Sequence, residues 1–190
     1  MSREIVIPKN NEEEFILVAS KLGIKEMCFL YDSDEYVKMN QKILNFKENK
    51  YVHIEIGIIA NQKNMNKETH NLLVAKSSDL DRFFIESKKI KLIYGFEEFH
   101  KKDYMHQRAS GLNHVICQLA KKNNVAIGFS YSSLLNKSSK VVSLLLGRMI
   151  QNIQLCKKYK CNIVLASFAD EPYQLRYHHD IKSLFYILGL

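Results

Sequence analysis

Residues 51–60, "YVHIEIGIIA", decide how the rest of the chain is read. The run first alternates, with Val52, Ile54 and Ile56 apolar and His53 and Glu55 polar, and from Ile56 to Ala60 it is apolar without a break. Alternation is the period of an extended strand, and a continuous apolar stretch suits a strand buried on both faces. Strands covered on both sides belong to parallel sheets flanked by helices.

The same reading extends outward in both directions. "EIVIP" (4–8) is a short β-rich run. In the following "NNEEEFILVASKLG", Asn10 or Asn11 can cap a helix whose acidic first turn suits the dipole and which Gly23 closes. "EMCFLY" (26–31) predicts a second strand, and Ser33 then caps an amphipathic stretch to about Asn49. Beyond the opening run, "NLLVAKS" (71–77) predicts a fourth strand, "SDLDRFFIESKK" a helix and "KLIYGF" (91–96) a fifth strand. A helix over about 110–122, capped by Ser110, turns Leu112, Val115, Ile116, Leu119 and Ala120 inward and leads into "VAIGFSY" (125–131). A long helix over about 138–159 carries Val141, Leu144, Leu145, Met149, Ile153 and Cys156 as its core stripe, with Lys140, Arg148, Gln151 and Lys158 elsewhere. "NIVLASFA" (162–169) is the seventh strand, and "DIKSLFYILGL" closes the chain as a helix.

Seven strands alternating with helices indicate an α/β fold with a parallel sheet. With two prolines, seven glycines and no linker or repeat, residues 1–190 read as a single domain large enough for a sizeable core. A compact, slightly incomplete TIM-like barrel of about seven parallel strands is the first arrangement, and an open doubly wound sheet the second. No apolar run is long enough to span a membrane, and "MSREIVIPKNNEEEF" lacks the apolar region of a secretory signal, so a cytoplasmic protein is expected. Cys28, Cys117, Cys156 and Cys161 form no CxxC pair and read as small buried hydrophobes.

Charge is distributed unevenly. The net charge is +8, yet residues 1–100 carry 15 Lys and Arg against 16 Asp and Glu, whereas residues 101–190 carry 13 against 4. Clustered cations gain by releasing the counterions of a phosphate backbone, so a polyanion-binding face is expected, a solvated basic surface being the plainer alternative. In either α/β arrangement the functional face lies at the carboxyl ends of the strands. There "EEFHKKDYMHQRAS", "SYSSLLNKSSK" and "DEPYQLRYHHD" gather His100, Lys101, Lys102, His106, Arg108, Lys137, Lys140, Arg176, His178 and His179. Tyr104, Tyr131, Tyr173 and Tyr177 on the same loops could stack on unpaired bases. No Gly-rich phosphate loop, GxSxG elbow or His-x-His pair occurs, and only four carboxylates lie beyond residue 100. Binding without self-contained catalysis fits that inventory.

The run "QRASGLNHVICQLAKKNNVAIGFSYSSLL", then "KYKCNIVLASFA" and "LRYHHDIKSLFYILGL", resembles RNase P protein component 3, the archaeal and eukaryotic subunit family with a TIM-barrel-like fold. Arg108 followed by Ser-Gly-Leu-Asn-His and the Leu-Arg pair containing Arg176 carry the resemblance most specifically, over about residues 103–190. The resemblance implies a non-catalytic protein subunit of ribonuclease P, the endoribonuclease that removes the 5′ leader of precursor tRNA. It implies RNase P RNA, precursor tRNA, RNase P protein component 2 and other RNase P proteins as partners. It also implies no cofactor on the protein and Mg²⁺ on the RNA subunit. Arg108, His114, Lys121, Lys122, Lys137, Arg148 and Arg176 are the expected RNA-binding residues. Two other readings stay open. One is a free-standing metal-dependent phosphoesterase with Asp170, Glu171, His178 and His179 as its polar centre; the other is a protein-interaction module whose basic surface meets an acidic partner.

Overall fold

The computed structural model of the chain describes residues 3–33, 35–36, 52–62, 65 and 72–190. Seven strands, β1 (Glu4–Val6), β2 (Glu26–Tyr31), β3 (His53–Ile59), β4 (Leu72–Lys76), β5 (Leu92–Tyr94), β6 (Ala126–Ser130) and β7 (Ile163–Ala166), form one parallel sheet in sequence order. The sheet curls until its edges meet. Val6 bridges Ala169 in parallel, the Ile7 N–H donates to the Ala169 carbonyl at 2.7 Å and the Phe168 N–H donates to the Ile5 carbonyl at 2.8 Å. The result is the nearly closed TIM-like α/β barrel, and not the open doubly wound sheet.

Among the described residues the helices are α1 (Glu12–Leu22), α2 (Asp81–Glu86), α3 (Phe96–Phe99), α4 (His114–Asn123), α5 (Ser139–Tyr159) and α6 (His178–Ile187). Gly23 closes α1 in the left-handed region, as expected of a residue free of the Cβ penalty. Most of the predicted amphipathic stretch from Ser33 to Asn49 lies outside the described residues.

Strand alternation divides the apolar side chains between the inside of the barrel and the layer under the helices. Ile5, Cys28, Leu30, Val74, Leu92, Tyr94, Ala166 and Phe168 form the inner cluster. There the Tyr94 and Phe168 rings stack at 4.2 Å with 10° between their planes. Gly57 and Gly128 make room for this filling: a Cβ on Gly57 would come within 2.6 Å of Leu30 Cδ2, and one on Gly128 within 2.9 Å of Tyr94 Cβ. The outward-facing residues pack against the helices in two further clusters.

Two helix faces differ from the pattern read in the sequence. Helix α4 begins at His114, not Ser110, because the Asn113 side chain accepts the Ile116 N–H at 3.0 Å and caps it. Ser110 is buried instead, and Gly111 (φ +80°) passes so close to the Phe96 carbonyl that a Cβ would collide with it. The inward face of α4 is Ile116, Cys117 and Ala120, while Val115 is 40% exposed. On α5 the buried stripe is Leu145, Arg148, Met149, Asn152, Ile153 and Cys156, and Val141 is exposed. Arg148 was expected off the apolar stripe; its side chain lies on it.

Candidate nucleic-acid interface

The longest described connection on the carboxyl rim runs from Tyr94, the last residue of β5, to the start of α4. Residues 101, 102 and 104–108 of this loop are exposed, so Lys101, Lys102, His106 and Arg108 face solvent together with Tyr104 (66%) and Met105 (92%). A segment this exposed gains little from burial, and its shape comes from polar contacts at its base. The Tyr104 N–H donates to the Gln107 carbonyl at 2.9 Å, and Asp103 Oδ1 accepts the Ala109 N–H at 2.9 Å.

Arg148 completes the base from below. Its Nε donates to Asp103 Oδ1 at 2.8 Å, and its Nη1 donates to the Glu97 and His100 carbonyls at 2.8 and 2.6 Å. One planar guanidinium therefore ties three points of the loop to α5, a geometry that Arg provides and Lys does not. Asn152, one turn further along α5, donates to the Ser110 carbonyl at 2.9 Å. Burial pushes the Asp103 carboxyl up, but the Ala109 N–H and the Arg148 guanidinium outweigh it and hold the group below the usual carboxylate range. The neighbouring Glu97 is fully buried, and burial pushes its carboxyl up to about 7. The sequence shows Asp103 only as one of the four carboxylates beyond residue 100 and gives Glu97 and Asn152 no role, although Arg148 and Asn152 both fall on the i, i+3, i+4 positions of the α5 stripe.

The other expected residues separate into three places. On the rim, Arg108 Nη1 donates to the Gly147 carbonyl at 3.2 Å, and its Cζ lies 3.3 Å from where a Cβ on Gly147 would stand, so the guanidinium rests on bare α5 backbone. Lys137 pairs with Glu98 at 2.7 Å, and Arg176 donates to the Tyr173 and Leu175 carbonyls at 2.8 and 2.7 Å with its Cζ 5.7 Å from the Tyr131 ring centre. Arg108 and Arg176 keep unused guanidinium donors, and Arg108 is exposed. His114 is exposed at the first position of α4, on the rim side of that helix. Lys121 and Lys122 are exposed in its last turn, where the chain turns into the amino end of β6. They sit at the opposite end of the barrel, favourably placed on the helix dipole. Arg148 is 0% exposed, which corrects its expected place among the RNA-binding residues: with no surface to offer, it shapes the loop that offers one.

The residues named for a hydrolytic centre do not converge. Lys9 bonds the Asp170 carboxylate at 2.7 Å and holds it below the usual range, on the rim. His178 and His179, expected on that rim, line a cavity with Gly23, Ile24 and Lys25, at the amino end of β2. Among the described residues, no group of three His, Cys, Asp or Glu is placed to hold a metal ion. No described helix is long and apolar enough to cross a membrane.

Comparison with known proteins agrees with the fold. A family model described as RNase P subunit p30 matches residues 101–190. Ribonuclease P protein component 3 of Methanothermobacter thermautotrophicus is 24% identical over 189 residues, covering 92% of this chain and 74% of its own. The protein of the same name from Methanocaldococcus jannaschii is 23% identical, covering 94% and 79%, and that of Thermococcus kodakarensis 26% identical, covering 85% and 72%. A chain in a cryo-EM structure of archaeal Ribonuclease P with mature tRNA superposes with a TM-score of 0.78 at 20% identity, over 98% of this chain and 83% of that one. Residues 101–190 thus match the model of RNase P subunit p30, and along most of its length the chain is similar to archaeal RNase P protein component 3.

Proposed function

We propose that this chain is a protein subunit of ribonuclease P that supports the catalytic RNA in removing the 5′ leader of precursor tRNA. The observation that carries the proposal on this chain's own residues is the exposed loop from Lys101 to Arg108, cationic and aromatic, braced from beneath by Arg148. The names of its relatives support the same reading. A pre-shaped cationic loop suits RNA because its phosphate contacts form without first ordering the protein. Tyr104 offers a face on which an unpaired base can stack.

In this reading the chain acts as one domain in the cytoplasm, pairs with RNase P protein component 2 and joins the other RNase P proteins. The RNA subunit holds the Mg²⁺ that the hydrolysis uses. Arg108, Arg176, Lys137 and His114 contact RNA from the rim side, and Arg148 shapes the loop that carries Arg108. The test is cleavage of precursor tRNA by this chain alone, by RNase P RNA with component 2, and by all three together. Cleavage chiefly in the complete mixture is the expected result. RNA-free cleavage by the chain alone, abolished by a chelator, would overturn the proposal in favour of a hydrolase.

A further inference from the structure

The barrel has a second mouth, at the amino ends of its strands. An open cavity of about 870 Å³ lies between the strand starts and α6, and another of about 490 Å³ extends towards the turn between α1 and β2. Glu26, His178 and Lys182 line both, so the two form one groove. Its floor is apolar, made of Ile5, Leu92 and Val164 from the cluster inside the barrel. Its walls carry Lys91 from the start of β5, Lys25 from the α1–β2 turn, and Lys182 and His178 from α6.

Charge in the groove is incompletely balanced. Arg3 is taken up by Glu55 in a two-point pair at 2.6 and 2.7 Å. Glu4 is buried and accepts the Ser167 N–H at 2.6 Å. Lys25 and Lys91 are exposed, and among the described residues neither ammonium group has a hydrogen-bond acceptor or an ion-pair partner. Of the acidic side chains that line the groove, Glu4 and Glu26, only Glu26 is not buried.

We infer that this groove binds a single nucleotide, with the phosphate on Lys91 and Lys182, the ring over the apolar floor, and Glu26 accepting from a hydroxyl or amino group. A cationic patch alone would take any polyanion, whereas an apolar floor with a few convergent polar groups is the anatomy of a small-molecule pocket. The larger part of the groove, about 870 Å³, falls in the range such pockets occupy, roughly 300–1,000 Å³. A free mononucleotide and the end of an RNA strand present the same chemistry. The groove is at the end of the barrel opposite the loop from Lys101 to Arg108, so it stands apart from the function proposed above.

The experiment follows backbone amide shifts of the isotope-labelled full chain during titration with 5′-AMP, adenosine, inorganic phosphate and a short 5′-phosphorylated single-stranded RNA. Saturable shifts with 5′-AMP at Lys91, Ala126 and Ile163 are expected. The variant Lys91→Gln/Lys182→Gln should bind at least about tenfold more weakly, the loss expected on removing charge-assisted hydrogen bonds. Parallel shifts with the RNA would identify a strand end as a source, and shifts with 5′-AMP alone a free nucleotide; both support the assignment. Adenosine binding as well as 5′-AMP would overturn the role of the lysines, and phosphate binding as well would overturn that of the floor. Absence of saturation, or shifts confined to residues 100–108, would overturn the site altogether.

Discussion

Replacing Arg148 with Met keeps much of the buried volume and removes the guanidinium, which isolates its polar role. Three acceptors lose their donor: Asp103 Oδ1 and the Glu97 and His100 carbonyls. Breaking a buried charged pair costs about 3–5 kcal/mol, because the partner is left uncompensated. Asp103 retains the Ala109 N–H, and its side chain is 28% exposed and can turn to water, which places the expected loss at the lower end, about 3 kcal/mol. For a chain of this size that corresponds to a fall in Tm of roughly 6–12 °C. Urea unfolding should show a lower midpoint at unchanged slope, which separates a stability loss from a change in the unfolded state. Hydrogen exchange adds a local readout, since the Ala109 amide bonded to Asp103 should exchange faster in the variant. Arg148→Lys should recover only part of the loss, because one ammonium cannot reach three acceptors set around a planar fork. A loss under about 1 kcal/mol in Arg148→Met, with Ala109 exchange unchanged, would refute the bracing role.

Three further outcomes are expected. Ile116→Ala should cost about 2–5 kcal/mol and Val115→Ala less than about 1, measured by urea unfolding, because only the first lies on the inward face of α4; equal losses would mean that the face is misassigned. Arg108→Ala should weaken holoenzyme cleavage at limiting Mg²⁺ by roughly tenfold or more with little change in Tm, whereas Lys121→Ala/Lys122→Ala, at the other end of the barrel, should cleave nearly normally; the reverse order would move the RNA contact off the rim. Burial pushes the carboxyls of Glu4 and Glu97 up to about 7 from an ordinary 4.5, so between these values the unfolded chain releases protons that the folded chain keeps. The contribution of these two groups to stability is therefore full below pH 4.5 and is lost as pH rises towards 7. Urea midpoints at pH 5 and 7.5 should reveal the decline, and Glu97→Gln should flatten it; a slope unaltered in that variant would contradict the Glu97 part.

Strand positions were legible because each strand is a compact apolar run, and parallel strands buried on both faces have no polar face to confuse the pattern. The barrel followed from seven such runs separated by helices. Individual side chains on the helices were less legible. Arg148 carries a charge, and charge suggests the solvent side, but its three bonds to the rim loop depend on a segment more than forty residues earlier. The start of α4 was hidden because Ser110 and Asn113 are both competent caps, and only the close passage of Gly111 past Phe96 selects between them. The short distance of His178 and His179 from β7 in sequence suggests the rim, whereas the Pro172–Gln174 turn and the extended residues after it carry them to another face.

The seam between β1 and the segment after β7 has a consequence for how the chain reaches this shape. Glu4 meets Ser167 across 163 residues, while each other strand pairs with its immediate neighbour in sequence. Contacts of such separation form late, since the entropy of closing the loop is lost before the contact returns any energy. During synthesis β1 must wait with one edge unsatisfied until residues 167–169 have left the ribosome, and an unpaired edge is an invitation to other strands. The brevity of β1, three residues with Pro8 close behind, limits what can add to that edge in the meantime.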